Sequence, residues 1–158
     1  MRIKISSDST CDLNKAYIEE NDIGIMPLFV VKDGESFKDG LEITPDVIFA
    51  HVNAGGDLCT TSAANVNDYM ELFEEYKKEY DAVIHINIGS GFSSCHQNAS
   101  LAAEEFDNVY VVDSMNLSTG HGLVVVEAVK RVKQGMEAEK IYEELKDLVP
   151  RVEASFVL

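Results

Sequence analysis

The chain has 158 residues, 46% of them apolar and 26% charged, with a formal net charge of −15. That length suits one domain with a core of its own, without a disulfide or metal to hold it, and the acidity opposes binding to nucleic acid or to an anionic lipid surface. No apolar run approaches the ~18 residues of a membrane span, and Met1-Arg2-Ile3-Lys4 reads straight into a strand with no secretory pattern, so no integral membrane insertion is expected and the default setting is cytoplasmic.

The first strand is Ile3 to Ser7, followed by the loop "SDSTCD", with Asp12 placed to cap a helix from Leu13. "IGIMPLFVV" reads as a strand in which Pro27 marks an edge or a break. Asp33-Gly34 predicts the turn of a small hairpin. Thr44 followed by Pro45 starts a helix that runs to about Asn53 and is ended by Gly55 and Gly56. The segment "CTTSAA" reads as a loop, and Asn65 caps the next helix. Its apolar face is Val66, Tyr69, Met70, Phe73, Tyr76 and Tyr80, spaced as on one side of a helix.

"DAVIHINI" is a nearly continuous apolar run, as expected of a parallel strand covered on both faces. The loop "GSGFSS" leads into a helix from about Cys95 to Phe106, with Ser94 and Gln97 at capping-box spacing. Val109 to Val112 is another buried strand. A helix follows from about Thr119 to Gln134, stopped by Gly135, then a helix over Ala138–Leu148, and "EASFVL" begins one more strand. Strands alternating with helices predict an α/β fold: a mostly parallel sheet with helices on both faces and a small β-hairpin insertion. Ligands of such sheets bind at the carboxyl ends of the strands, which singles out the loops "SDSTCD", "CTTSAA", "GSGFSSC" and "DSMNLSTGHG".

Each of these loops is rich in small and hydroxyl residues. Gly89 and Gly91 permit close backbone approach, Ser93 and Ser94 offer hydroxyls, and the new helix offers free N–H groups. The stretch is either a tight turn with a serine cap or an anion site without a cationic side chain. Asp8 and Asp113 each end a strand and precede a serine, Ser9 and Ser114. Each carboxylate can cap its loop, act as a general base or hold a magnesium ion, with capping favoured. His85 lies inside a strand and reads as a satisfied core histidine, whereas His96 and His121 lie nearer the loops. Cys11, Cys59 and Cys95 are odd in number and lack the short ligand pairs of a zinc site, so neither a disulfide framework nor a metal is expected. The phosphate-loop pattern, GxGxxG and GxSxG are all absent.

Four ordered segments, "SDSTCDL", "TTSAAN", "IGSGFSSCHQNA" and "VVDSMNLSTGHG", together resemble the DegV family of bacterial fatty-acid-binding proteins along essentially the whole chain. The resemblance implies a lipid-binding protein without chemistry or cofactor of its own. It would hold one long-chain fatty acid and present the carboxylate to a separate fatty acid kinase subunit. It implies that the Thr61 and Ser93 hydroxyls and the Ser94 N–H bind the carboxylate, with Ser62 and Gly91 beside them and Asp8, Ser9, Asp113, Ser114 and His121 in support. The rival class is a small hydrolase or phosphoryl/acyl-transfer enzyme using Asp113 or Asp8 as base. Departures from the family pattern are Gly89 in place of Ser, Ser94 in place of Gly, Cys95 and His96 in place of Thr and Tyr, and Ala63-Ala64 in place of Gln-Pro. By the same resemblance, residues 1–150 form the carboxylate-binding domain and residues 151–158 begin the crossover strand. The C-terminal domain of the family is then absent from this sequence, and the chain is expected to be a fragment.

Overall fold

The computed structural model describes residues 1–155. Its main sheet contains β1 (Ile3–Asp8), β2 (Gly24–Met26), β6 (Ala82–Asn87) and β7 (Val109–Asp113), all parallel, in the order β2-β1-β6-β7. The predicted α/β class is therefore observed. A second, antiparallel sheet has the order β4-β3-β5, from β3 (Phe29–Lys32), β4 (Glu35–Lys38) and β5 (Thr60–Ser62).

Apolar patterning covers the main sheet on both sides. On one face α3 (Val66–Lys77) and α4 (Cys95–Ala103) pack Tyr69, Phe73, Ala99 and Ala102 against Val83. On the other face α5 (Ser118–Lys133) and α6 (Ala138–Leu148) pack Val124, Val125, Ile141 and Leu145 against Ile5, Ile84 and Ile86. All six residues of β6 are buried, which accounts for its unbroken apolar run. Burying each large aliphatic or aromatic side chain contributes roughly 1.5–3 kcal/mol.

Several sequence expectations meet local chemistry that displaces them. The "IGIMPLFVV" strand is broken at Pro27, and its halves join different sheets as β2 and β3. Asp12 does not cap a helix: it adopts a left-handed backbone (φ 49°) after a 3-10 turn over Ser9–Cys11. Helix α1 (Lys15–Glu20) starts instead at Asn14, whose side chain accepts from the Tyr17 N–H. Thr60–Ser62, read as loop, forms β5 because the exposed edge of β3 pairs with it. Helix α4 ends at Ala103, short of Phe106, and α5 begins at Ser118. Tyr80 lies beyond the end of α3, where its hydroxyl donates to Asp22. The hairpin β3–β4 turns through Asp33 (φ 53°) and Gly34 (φ 81°), the two positive φ angles that a two-residue turn requires. Helix α2 (Pro45–Asn53) has the predicted Pro at its start, and α3 has a capping box between Asn65 and Asp68. Glu153–Ser155 carry no strand, and the rest of the predicted last strand lies outside the described residues.

Candidate functional site

The sheet order locates the site. From β1 the chain first adds β2 on one side, then β6 on the other, and continues outward to β7. The loops after β1 and β6 therefore diverge, and a crevice opens at their carboxyl ends. Asp8, the last residue of β1, spans this point. Its Oδ2 accepts from the Ile88 N–H at 2.6 Å, while its Oδ1 accepts from the Thr10 N–H at 3.1 Å and the Thr10 hydroxyl at 2.6 Å.

Behind Asp8 stands His121, fully buried in the first turns of α5. Its Nε2 lies 2.9 Å from the Ser7 hydroxyl and 3.1 Å from the Ile86 carbonyl, and its Nδ1 lies 3.2 Å from the Thr10 hydroxyl. Burial lowers its basicity, partly offset by Asp8, whose Oδ1 is 3.7 Å from Nδ1. The helix comes this close because Gly122 lacks a side chain; a Cβ there would sit 2.4 Å from the Cys11 carbonyl oxygen.

In front of Asp8 is a cavity of about 360 Å³. Thr10, Thr61, Ser62, Ser93 and Ser94 supply hydroxyls, Leu28, Phe29, Val30, Ile88 and Phe92 supply apolar wall, and Asp39 is the charged residue lining it. The elements fix this meeting. Pairing of Val30 with Thr61 brings β5 to the rim, and the Leu28 N–H donates to the Ser9 hydroxyl at 3.2 Å, tying the start of β3 to the β1 loop. Asn98 of α4 donates to the Ala64 carbonyl at 2.8 Å, which holds the Thr60–Ser62 segment near the start of α4. A groove of about 530 Å³ shares Asp39 with this cavity, and Asp12, Lys15 and Glu19 line it together with the apolar Leu13, Ile18, Ile25, Pro27 and Leu41.

The predicted contact residues separate into two groups. Thr61, Ser62, Ser93 and Ser94 line the cavity; Gly91 does not, and a Cβ added there would meet nothing within 4 Å. Gly89 is instead required by the protein itself, because its Cβ would lie 2.8 Å from the Met115 carbonyl carbon. The expected Ser94–Gln97 capping box is not formed. Ser94 occupies the N-cap position without a side-chain capping bond, and Ser93 accepts from the Cys95 N–H at 3.3 Å.

None of the supporting residues Asp8, Ser9, Asp113, Ser114 and His121 lines the cavity. Asp113 accepts from the Ser90 N–H at 3.0 Å and the Met115 N–H at 2.8 Å. Burial works to raise its pKa, yet these bonds hold it below the usual carboxylate range. Ser114 closes its own loop by donating to the Asn116 carbonyl at 2.9 Å. His85 is a core histidine: its Nδ1 lies 2.8 Å from the Ser6 hydroxyl, its Nε2 lies 3.1 Å from Asn87, and burial pushes its pKa down to about 4. Cys11 and Cys95 are buried and Cys59 is partly exposed, and among the described residues no three His, Cys, Asp or Glu side chains converge as a metal site.

Thr10, Asp39 and Phe92 escaped the sequence reading. Phe92 sits among small residues and is 55% exposed, an apolar ring beside hydroxyls. Asp39 follows the hairpin and gives no local signal of facing the crevice.

Comparison with known proteins adds a lineage to this geometry. The family model described as "Uncharacterised protein, DegV family" matches residues 2–158. A DegV domain-containing protein of Clostridium perfringens is 36% identical over 146 residues, covering 91% of this chain and 52% of its own length. Among solved structures, a fatty-acid-binding DegV family protein from Thermus thermophilus superposes with a TM-score of 0.87 at 34% identity, over 95% of this chain and 54% of that one. A stearic-acid-binding protein from Eubacterium ventriosum superposes with a TM-score of 0.80 at 30% identity, over 91% of this chain and 52% of that one. The chain thus spans about half the length of the relatives it matches.

Proposed function

The chain belongs to the DegV family, and from that premise we propose that it binds a long-chain fatty acid with the carboxylate in the hydroxyl-lined cavity. The observation that carries this reading is the make-up of one cavity wall: hydroxyls of Thr61, Ser62, Ser93 and Ser94 face the same space as Leu28, Val30 and Phe92. A fatty acid is a ligand with one anionic end and an otherwise apolar body, and it matches both surfaces at once.

On this reading the Thr61 and Ser93 hydroxyls and the Ser94 N–H donate to the carboxylate, and Ser62 stands in reserve. The start of α4 adds its positive dipole end. Each hydrogen bond to an ionised group contributes about 1.5–3 kcal/mol, and each buried CH₂ about 0.8 kcal/mol. Binding is favoured over catalysis because Asp8 and Asp113, the two candidate bases, are engaged by backbone N–H groups. Family resemblance extends the proposal to a partner: a separate ATP-using kinase subunit receives the presented carboxylate and returns an acyl phosphate, in the cytoplasm where ATP is available.

The test is stearate binding to delipidated protein by calorimetry or native mass spectrometry. We expect one acid per chain, a loss of at least tenfold in affinity for Ser93→Ala, and a comparable loss for Thr61→Val. Absence of a bound acid, or unchanged affinity in both variants, overturns the reading. Acyl phosphate formed with ATP by this protein alone would overturn the division of labour with a kinase subunit.

A further inference from the structure

Of the two hydroxyls assigned to the carboxylate, those of Thr61 and Ser93, the second is already committed. Among the described residues the side chains of Thr61, Ser62 and Ser94 have no hydrogen-bond partner, whereas Ser93 Oγ accepts the Cys95 N–H at 3.3 Å and donates its proton to Cys95 Sγ at 3.1 Å. Cys95 is fully buried at the first position of α4, beside Tyr69, so its sulfur is fixed by packing and shielded from solvent.

We propose that Cys95 is a positioning residue that tunes ligand affinity: its buried sulfur holds the Ser93 proton in the free protein and yields it to the ligand carboxylate on binding. This inference rests on the reading of Ser93 as a carboxylate ligand. Ser93 Oγ keeps the Cys95 N–H in both states, so only the hydroxyl proton turns and no heavy atom need move. Binding exchanges an O–H···S contact for a charge-assisted O–H···O⁻ bond. A thiol sulfur is a weak acceptor and gives the proton up readily. A hydroxyl oxygen at position 95 would retain it, and a methyl group would never compete for it.

The experiment measures stearate affinity by calorimetry on the intact protein for Cys95→Ala, Cys95→Ser, Ser93→Ala and both double variants. From the usual worth of one neutral hydrogen bond, Cys95→Ala should bind about 2–5-fold tighter and Cys95→Ser about 3–10-fold weaker than the native protein. Both differences should vanish in the Ser93→Ala background. Equal affinities across the position-95 series, or differences that persist without Ser93, overturn the inference while the drop in Ser93→Ala leaves the carboxylate reading standing. An unchanged affinity in Ser93→Ala overturns the inference together with that reading. Should Cys95→Ser fail to fold, Cys95→Ala and an infrared measurement carry the test. The S–H stretching band that Cys95→Ala removes should shift when stearate is added to the native protein, and a band that stays in place overturns the inference.

Discussion

Asp8 and Ile88 are joined across the mouth of the crevice by a 2.6 Å hydrogen bond from the Ile88 N–H to the carboxylate. One side chain thereby fastens the loop after β1 to the loop after β6, and the serines that face the cavity begin only a few residues beyond Ile88. Asp8→Asn keeps the shape but presents an amide donor where Ile88 and Thr10 also donate. We expect it to lower stability by about 2–4 kcal/mol, the range for a charged hydrogen-bonding group left mismatched in a buried setting. Urea unfolding measures this, and a loss below half a kcal/mol would show that the two loops are held by other means.

Gly89 and Gly91 are two residues apart and make opposite predictions. A Cβ on Gly89 would lie 2.8 Å from the Met115 carbonyl carbon and 2.9 Å from the Asn116 nitrogen, whereas a Cβ on Gly91 meets open space. Gly89→Ala should cost about 1–3 kcal/mol through overpacking, and Gly91→Ala should stay within roughly 0.5 kcal/mol of the native protein. Thermal unfolding of the two variants side by side reads the contrast.

Asp39 opposes the proposed ligand. The chain carries a formal net charge of −15, no cationic side chain lines the cavity, and Asp39 does. A like charge several ångströms away in a partly buried site costs about 1–2 kcal/mol. Asp39→Asn should therefore tighten stearate binding roughly tenfold at low salt, with a smaller gain at high salt as screening grows. Calorimetry at two salt concentrations checks both the sign and the screening.

His85 links stability to pH. Burial lowers its pKa from 6.5 to about 4, so between those values the unfolded chain binds a proton that the folded chain refuses. The unfolded state binds more protons there, so stability rises with pH across that window and falls as pH drops from 6.5 toward 4, by up to about 3 kcal/mol from this residue. His121 is shifted in the same direction and adds to the slope. The ring resonances of His85, followed by NMR, should titrate near pH 4, and a midpoint near 6 would refute the assignment.

Much of the fold was legible because it follows from residue patterns at short range. The apolar run of β6, Thr44-Pro45 before α2, Asn65 before α3 and Asp33-Gly34 in the hairpin each carry their cause within a few residues. Several of the misreadings share one physical origin, a partner elsewhere in the chain, whereas those at Asp12 and Ser94 are set by local backbone geometry. Thr60–Ser62 became a strand because β3 offered an unpaired edge, and no local feature of "TTS" announces that. Ser94 lost the capping role because its backbone (φ −77°, ψ 2°) does not take the extended geometry from which a cap side chain reaches the N–H groups of the next turn. His121 had no visible partner in sequence, since Ser7 is 114 residues away. Asp39 and Thr10 were missed for the same reason: what they face is decided by how two sheets meet.

The bonds that assemble the crevice span long stretches of chain: 80 residues from Asp8 to Ile88 and 114 from Ser7 to His121. Helices and the β3–β4 hairpin close over short distances, whereas the β1–β6 pairing must bring together segments far apart in sequence, and such contacts form slowly. We expect the side-chain bonds of the crevice to close after the sheet itself has formed, late in folding. Substitutions at Asp8 or His121 should chiefly accelerate unfolding and leave the refolding rate nearly untouched, which gives these residues control over the lifetime of the native state.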